Sequence, residues 1–257
     1  MVTLKVLKYV LYDVLRSRMV LAYALLLFVF SYALFYLESD PSKSVLSLLN
    51  IVLLLVPLVS IIFGTIHFYN SREFIEMLLA QPMSRRSLFF SEFLGLALSL
   101  TLALVFGIGI PAITFGVSAT SLFLILVGVL LTFVFVAIAI WSAVVTNDKA
   151  RGIGVSLLLW FYFTILYDGI ILLVLFYFSD YPMEKVMMIL SALNPVDLGR
   201  ISVLLRLDVS ALMGYTGAVF QKFLGSISGT VTALALLVLW SLLPLWFGNR
   251  YFCRKDL

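Results

Sequence analysis

One cysteine, Cys253, and one histidine, His67, are all that the 257 residues offer in thiol or imidazole ligands. An internal disulfide is therefore excluded, as is a zinc site built on thiolates, and most acid-base arrangements go with them. Charge is scarce too, at 12% of residues against about a quarter in soluble domains. Three catalytic signatures are also missing: there is no G-x-x-x-x-G-K-S/T phosphate loop, no H-E-x-x-H and no G-x-S-x-G elbow. No catalytic residue and no metal site is assigned, the chain does not read as an enzyme, and active transport would draw on another polypeptide or an ion gradient.

What the chain has is apolar length. At 63% hydrophobic residues and a mean hydropathy of +1.17, it is excluded from the water-soluble globules, and the useful count is of stretches of about 20 apolar residues. Six are found: Val20 to Leu37, Val45 to Tyr69, Phe93 to Phe115, Ala119 to Thr146, Ile153 to Phe178 and Gly229 to Phe247. The fold class expected is an all-α integral membrane protein with six transmembrane helices, read as a single domain over 1–257. Only Gly116, Val117 and Ser118 separate the third span from the fourth, so these two form a tight antiparallel hairpin. Pro57, Pro111 and Pro244 are tolerable kink sites, because neighbours in a membrane bundle satisfy the freed carbonyls. The first span is too long for a signal-peptide core and lacks a small-x-small cleavage pattern.

Orientation follows from the basic residues. Lys5, Lys8, Arg16, Arg18, Arg72, Arg85, Arg86, Lys149, Arg151, Arg250, Arg254 and Lys255 fall on one side, and Lys43, Lys185, Arg200, Arg206 and Lys222 on the other. Twelve against five predicts both termini in the cytoplasm of a bacterial or archaeal cell, the chain being multi-pass in the inner membrane. The net charge of +4 is thereby explained by the bilayer, with no nucleic acid as partner.

Four segments lie outside the predicted spans. Thr3 to Arg18 reads as an amphipathic helix with Leu4, Leu7, Leu11 and Val14 on its apolar face and Lys5, Lys8 and Arg16 opposite, suited to the inner leaflet or to setting topology. Residues Asn70 to Glu92 mix Arg72, Glu73, Glu76, Arg85, Arg86 and Glu92 with Phe74, Ile75, Met77, Leu78 and Leu79. This is a short helix stopped near Pro82, with Ser84 able to cap a new helix from Arg85. It suits either a partner's groove or a bed of lipid headgroups. Ser179 to Ser228 is the sizeable outer segment, expected to form short helices over Met183 to Leu190, Val196 to Arg206 and Ser210 to Leu224, resting on the outer ends of spans five and six or offered as a docking surface. Asn194, Pro195 and Asp197 supply its clearest helix start. The tail from Asn249 is short and basic.

Asp168 is the one ionisable residue read as lying well inside a span, which makes it a functional hypothesis by default. The alternatives are a hydrogen bond to a facing helix or a position near the outer surface. Met183, Met187 and Met188 can be soft Cu(I) ligands or apolar packing, and the second is the commoner use of a helical methionine row. His67 reads as an interfacial polar residue.

The run Glu76 to Arg86, Gly95, Gly107 to Pro111, Tyr167-Asp168, Asn194-Pro195-Val196-Asp197 and Gly214 to Val219 resembles the permease subunit of an ABC exporter of the second type, and within that class the permeases encoded with nitrous oxide reductase maturation genes. The resemblance covers about residues 5 to 250. It implies a permease paired with a second copy of itself and with two cytoplasmic ATP-binding subunits, which would hold ATP and Mg while this chain holds no cofactor. Residues 70–92 become the coupling segment, contacting the ATPase through Arg72, Glu73, Glu76, Arg85 and Arg86. It further implies a periplasmic beta-helical accessory protein that serves assembly of a copper-sulfur centre, with Met183, Met187, Asn194, Asp197, Arg200 and Tyr215 as its docking residues. Two other classes stay open at this point: an ion-coupled secondary transporter using Asp168, and a membrane scaffold without cargo. The cargo itself, copper, a sulfur species or none, is not written in these residues.

Overall fold

Each apolar run forms a helix, as it must where lipid offers the backbone no hydrogen-bond partner. The structure is a computed structural model and describes residues 2–38, 40–80, 83–146, 148–178, 184–207 and 226–254. Among them are α1 (Val2–Arg16), α2 (Arg18–Leu37), α3 (Pro41–Asn70), α4 (Arg72–Leu79), α5 (Arg85–Phe115), α6 (Ala119–Val145), α7 (Lys149–Phe161) and α8 (Tyr167–Tyr177), then α9 (Glu184–Ala192), α10 (Pro195–Arg206) and α11 (Ile227–Arg254). A five-residue π turn, Tyr162–Leu166, joins α7 to α8 in one span. Among the described residues six helices are long and apolar enough to cross a membrane, so the protein is an all-α integral membrane protein.

Helix ends are set by local chemistry. Asp40 accepts from the Ser42 amide at 2.9 Å with Pro41 in the first turn, and Asp148 accepts from the Ala150 amide at the same distance. Ser84 caps α5 by accepting from the Ser87 amide at 3.3 Å. Between α5 and α6, Gly116 takes φ +108°, a conformation side chains resist, and Ser118 and Ser121 form a reciprocal capping box.

The centre of the bundle is α6, the most deeply buried span, flanked by α3, α5, α10 and α11. On the far side of α5 lie α1 and α2. Small residues permit that contact: a Cβ on Gly95 would sit 2.6 Å from Val10 Cγ1, and one on Gly107 2.7 Å from Leu27 Cβ. Backbone approach of this kind is how membrane helices gain packing without a hydrophobic drive. Hydroxyls lock both contacts, with Ser99 Oγ donating to the Leu11 carbonyl at 3.2 Å and Ser31 Oγ to the Gly107 carbonyl at 2.7 Å.

Two expectations change here. The buried line of α1 is Val6, Val10 and Val14, while Leu4 is exposed and Leu7 and Leu11 are half-buried. The notch at Gly95 admits a compact valine, and the longer leucines flank it. Likewise the helix expected to start at Arg85 does so, but it runs unbroken into the third span past Glu92, which is 1% exposed and therefore not part of a surface segment. Both Glu92 carboxylate oxygens lack a hydrogen-bond partner, and the nearest cationic candidate, His67 Nε2, stands 3.6 Å away.

Candidate functional site

The segment before the last span does not rest on the outer ends of its neighbours. Helices α9 and α10 form a hairpin bent by 112°. Its tip is held at the midpoint of two spans: Asn194 Nδ2 donates to the Phe163 carbonyl at 2.9 Å, and Trp240 Nε1 donates to the Ala192 carbonyl at 3.0 Å. Phe163 lies about 21 Å from either end of its span at helical rise. The hairpin is therefore re-entrant, entering from the side opposite α4 and turning at mid-depth.

Its polar tip is tolerated because Asn194 and the last carbonyls of α9 are engaged there. Asn194 is fully buried; its Oδ1 accepts from the Val196 amide at 3.0 Å, so one side chain both caps α10 and ties it to the π turn. The last carbonyls of α9, orphans in any helix, are taken by Tyr167 Oη, donating to Leu190 O at 2.6 Å, and by Trp240. From the tip α10 runs outward against α6. Gly199 presses on Val127 and Leu131, and the Arg206 guanidinium lies 4.3 Å from the centre of the Phe123 ring.

Asp168 is not alone in this region. Arg200 Nη1 is 2.7 Å from Asp168 Oδ2 and 3.3 Å from Asp197 Oδ1, so one guanidinium bridges span five and the hairpin. Asp197 is 6% exposed, whereas the Asp168 and Arg200 side chains are about one-third exposed. Two carboxylates and one cation clamp the re-entrant hairpin to a span that carries a π turn. Such turns recur at functional sites. Of the alternatives open for Asp168, the geometry takes the hydrogen bond to a facing helix.

Several residues expected to meet an outer partner face inward instead. Met187 is buried with Tyr167, Ile171 and Ile201, the usual role of methionine in an irregular core. Asn194, Asp197 and Arg200 are committed to the hairpin itself. Val186, Ile189 and Leu193 are the large apolar side chains that α9 and the residue after it leave exposed. Met183 and Tyr215 lie outside the described residues.

On the opposite side, α4 follows α3 with only Ser71 between them, and the Ser71 amide donates to the His67 carbonyl at 2.9 Å. Ile75 and Leu78 are buried, and Phe74 packs on Tyr9 of α1 with ring centroids 5.0 Å apart. The outer face displays Glu73, Glu76 and Met77, with Arg72 Nε 3.2 Å from Glu76 Oε1. Arg85 and Arg86 belong to the first turn of α5. Arg86 lines a cleft with Trp246, Arg250 and Arg254, so it belongs with the end of α11 rather than with the α4 face.

The Arg200 bridge was not found by sequence reasoning, although Asp197 and Arg200 stand three apart on a helix, a spacing that pairs charges. Glu92 was missed because it adjoins a charged segment.

A family model described as ABC-2 family transporter protein matches residues 41–257, from the first turn of α3 onward. No curated protein matches the sequence. With far more than half of its length matched, the chain belongs to the ABC-2 transporter family and is a membrane permease component of an ABC transporter rather than its ATPase.

Proposed function

We propose that this permease couples ATP hydrolysis in two cytoplasmic ATP-binding subunits, which hold ATP and Mg, to movement of the α9–α10 hairpin. The observation that carries the reading is α4: an amphipathic helix of eight residues whose buried Ile75 and Leu78 fix it to the bundle while Arg72, Glu73 and Glu76 face outward. Arg85 and Arg86, at the start of α5, are the adjoining contacts. With only Ser71 as a link, a push on α4 is delivered to the end of α3. From α3 it passes to α6, and from α6 to α10.

The chain acts as one permease domain over 1–257, in a bacterial or archaeal inner membrane with both termini cytoplasmic. The twelve-to-five split of basic residues supports this orientation. A second copy covers span five, whose most apolar stretch is 6% buried and which exposes Leu158, Leu172, Leu173, Phe176 and Tyr177. The local likeness to permeases of nitrous oxide reductase maturation supports a role in assembling a copper-sulfur centre, with a periplasmic accessory protein meeting the exposed side of α9. Coupling without passage of copper fits a chain with one cysteine, one histidine and few methionines best.

The test is co-purification with the ATP-binding subunits. Glu73→Arg with Glu76→Arg is expected to abolish capture of the ATPase while the permease still elutes from its detergent column unchanged. Undiminished capture overturns the assignment of α4.

A further inference from the structure

Two adjoining clefts on the α4 side have no part in the reading above. The first, about 460 Å³, opens between the end of α1 and the end of α3 and is lined by polar groups: Asp13, Arg16, Ser17, His67, Asn70 and Ser71. The second, about 310 Å³, is an apolar groove between α2 and α3, walled by side chains such as Ala22, Leu26, Leu55 and Leu58. Met19 and Phe63 belong to both, so the polar mouth leads directly into the apolar groove. Each volume is in the range of small-molecule sites, about 300–1,000 Å³.

We infer that this continuous cleft binds one phospholipid with an ethanolamine headgroup from the leaflet on the α4 side. The depth fits. Along α2 the groove reaches Leu26, about 12 Å beyond Arg18, and along α3 it reaches Leu55, about 22 Å from Asn70. The two figures bracket the depth of one leaflet, about 15 Å in a hydrocarbon core of about 30 Å. The charges fit as well. Arg16 and Asp13 lie three residues apart on α1, both exposed, and among the described residues neither is engaged in an ion pair. The guanidinium suits a phosphodiester, and the carboxylate beside it suits an ammonium. A wholly anionic headgroup would satisfy only the first.

A buried group inside the groove points to the same ligand. Tyr23 is 4% exposed, lines the groove, and has a hydroxyl with no hydrogen-bond partner. It stands about 8 Å beyond Arg18 at helical rise, just below the phosphate level, where a phospholipid carries its ester carbonyls. The oxygen has no open surface of its own, so a turn of the ring toward the groove is what would let it donate to that carbonyl and resolve the orphan. The inference does not depend on the ATPase reading, because it needs only the two clefts and a bilayer.

The experiment is native mass spectrometry of the full-length permease, purified in mild detergent and offered equal amounts of phosphatidylethanolamine and phosphatidylglycerol. One ethanolamine lipid per chain is expected to be retained, with phosphatidylglycerol bound at least about tenfold more weakly. Arg16→Ala is expected to lower retention about tenfold, Arg16→Lys to restore part of it, and Tyr23→Phe to lower it about fivefold, the effect of one neutral hydrogen bond. Ala22→Trp, at an exposed position, fills the groove and is expected to abolish retention without disturbing the core. A photoactivatable acyl chain on the same lipid should label residues 19–26 or 55–63. Equal retention of the two lipids, retention unchanged in Arg16→Ala and Ala22→Trp, or displacement by soluble glycerophosphoethanolamine alone would overturn the site. A lipid-free chain whose Leu58→Cys variants cross-link between two copies would assign the groove to a second protomer and overturn it equally.

Discussion

At the scale of single residues, the decisive group is Arg200, because it alone balances two carboxylates drawn from different elements. Removing the guanidinium leaves Asp168 and Asp197 facing each other without a counter-charge. Loss of one partner from a fully buried pair costs about 3–5 kcal/mol. Here the side chains of Arg200 and Asp168 are about one-third exposed, so about 1–3 kcal/mol is the sounder expectation after solvent screening. Arg200→Met should lower the melting temperature in detergent by more than Asp168→Asn, which keeps a hydrogen-bond acceptor. The Arg200→Met, Asp168→Asn double variant should be less damaging than the sum of the two. Strict additivity in that cycle would show that the bridge carries no coupling. Asp168 was visible in the sequence as an intramembrane charge and Asp197 as an acid in the first turn of a helix, while Arg200, three residues on, was not paired with it. Their meeting was not visible, because it depends on how deep the hairpin sits.

A second residue-scale test concerns Glu92. Its carboxylate is buried without a hydrogen bond, with His67 as the facing polar group. A buried polar group loses most when its partner is taken away and little when both become apolar. His67→Leu should therefore destabilise the protein by about 1–3 kcal/mol, whereas His67→Leu with Glu92→Leu should recover much of that loss in the same thermal assay. A double variant worse than the single would show that the pair contributes net stability.

Among the elements, α5 is the one whose packing is written in small residues. Gly95, Ser99, Ala103 and Gly107 repeat every fourth position, and the two glycines admit α1 and α2. Gly95→Leu is expected to drive α1 off the bundle at a cost of about 1–3 kcal/mol, the usual scale of overpacking. Limited proteolysis should then cut within α1 while the remainder of the chain stays protected. Protection of α1 in that variant would mean that the notch at Gly95 does not hold it. The six spans were legible because each supplies an apolar run of adequate length, and the caps at Ser84 and Asn194 because capping chemistry is local. The start of α5 at Arg85 was legible too; that this helix continues without a break into the third span was not, because Arg85 to Glu92 interrupts the apolar run without interrupting the helix. The hairpin was read as superficial because Asn194 and Asp197 are polar. Polar residues go inside when backbone groups and a guanidinium await them, and those partners come from Phe163, Tyr167, Arg200 and Trp240, most of them more than twenty residues away.

For the whole molecule, the question is how a force applied at α4 reaches a hairpin on the other side of the membrane. The contacts run from α4 through Ser71 to α3, then through the central α6 to α10, all of it close-packed helix. Packed elements of this kind move as rigid bodies rather than deform. If α4 docks the ATPase as proposed, rigidity at the α3–α4 junction is required, whereas the outer face of α4 is not altered by it. Inserting two glycines after Ser71 should leave ATPase capture intact and uncouple it from the far side. The readout is a cysteine at the exposed Val186 position, about 12 Å along α9 from its mid-depth tip, in a Cys253→Ser background, reacted with a membrane-impermeant thiol reagent with and without ATP. In the parent complex the labelling rate should change with ATP, and in the insertion variant it should not. An ATP-dependent rate that survives the insertion would show that the signal bypasses the α3–α4 junction, which would leave the Arg200 bridge as a structural clamp rather than the end of a transmission line.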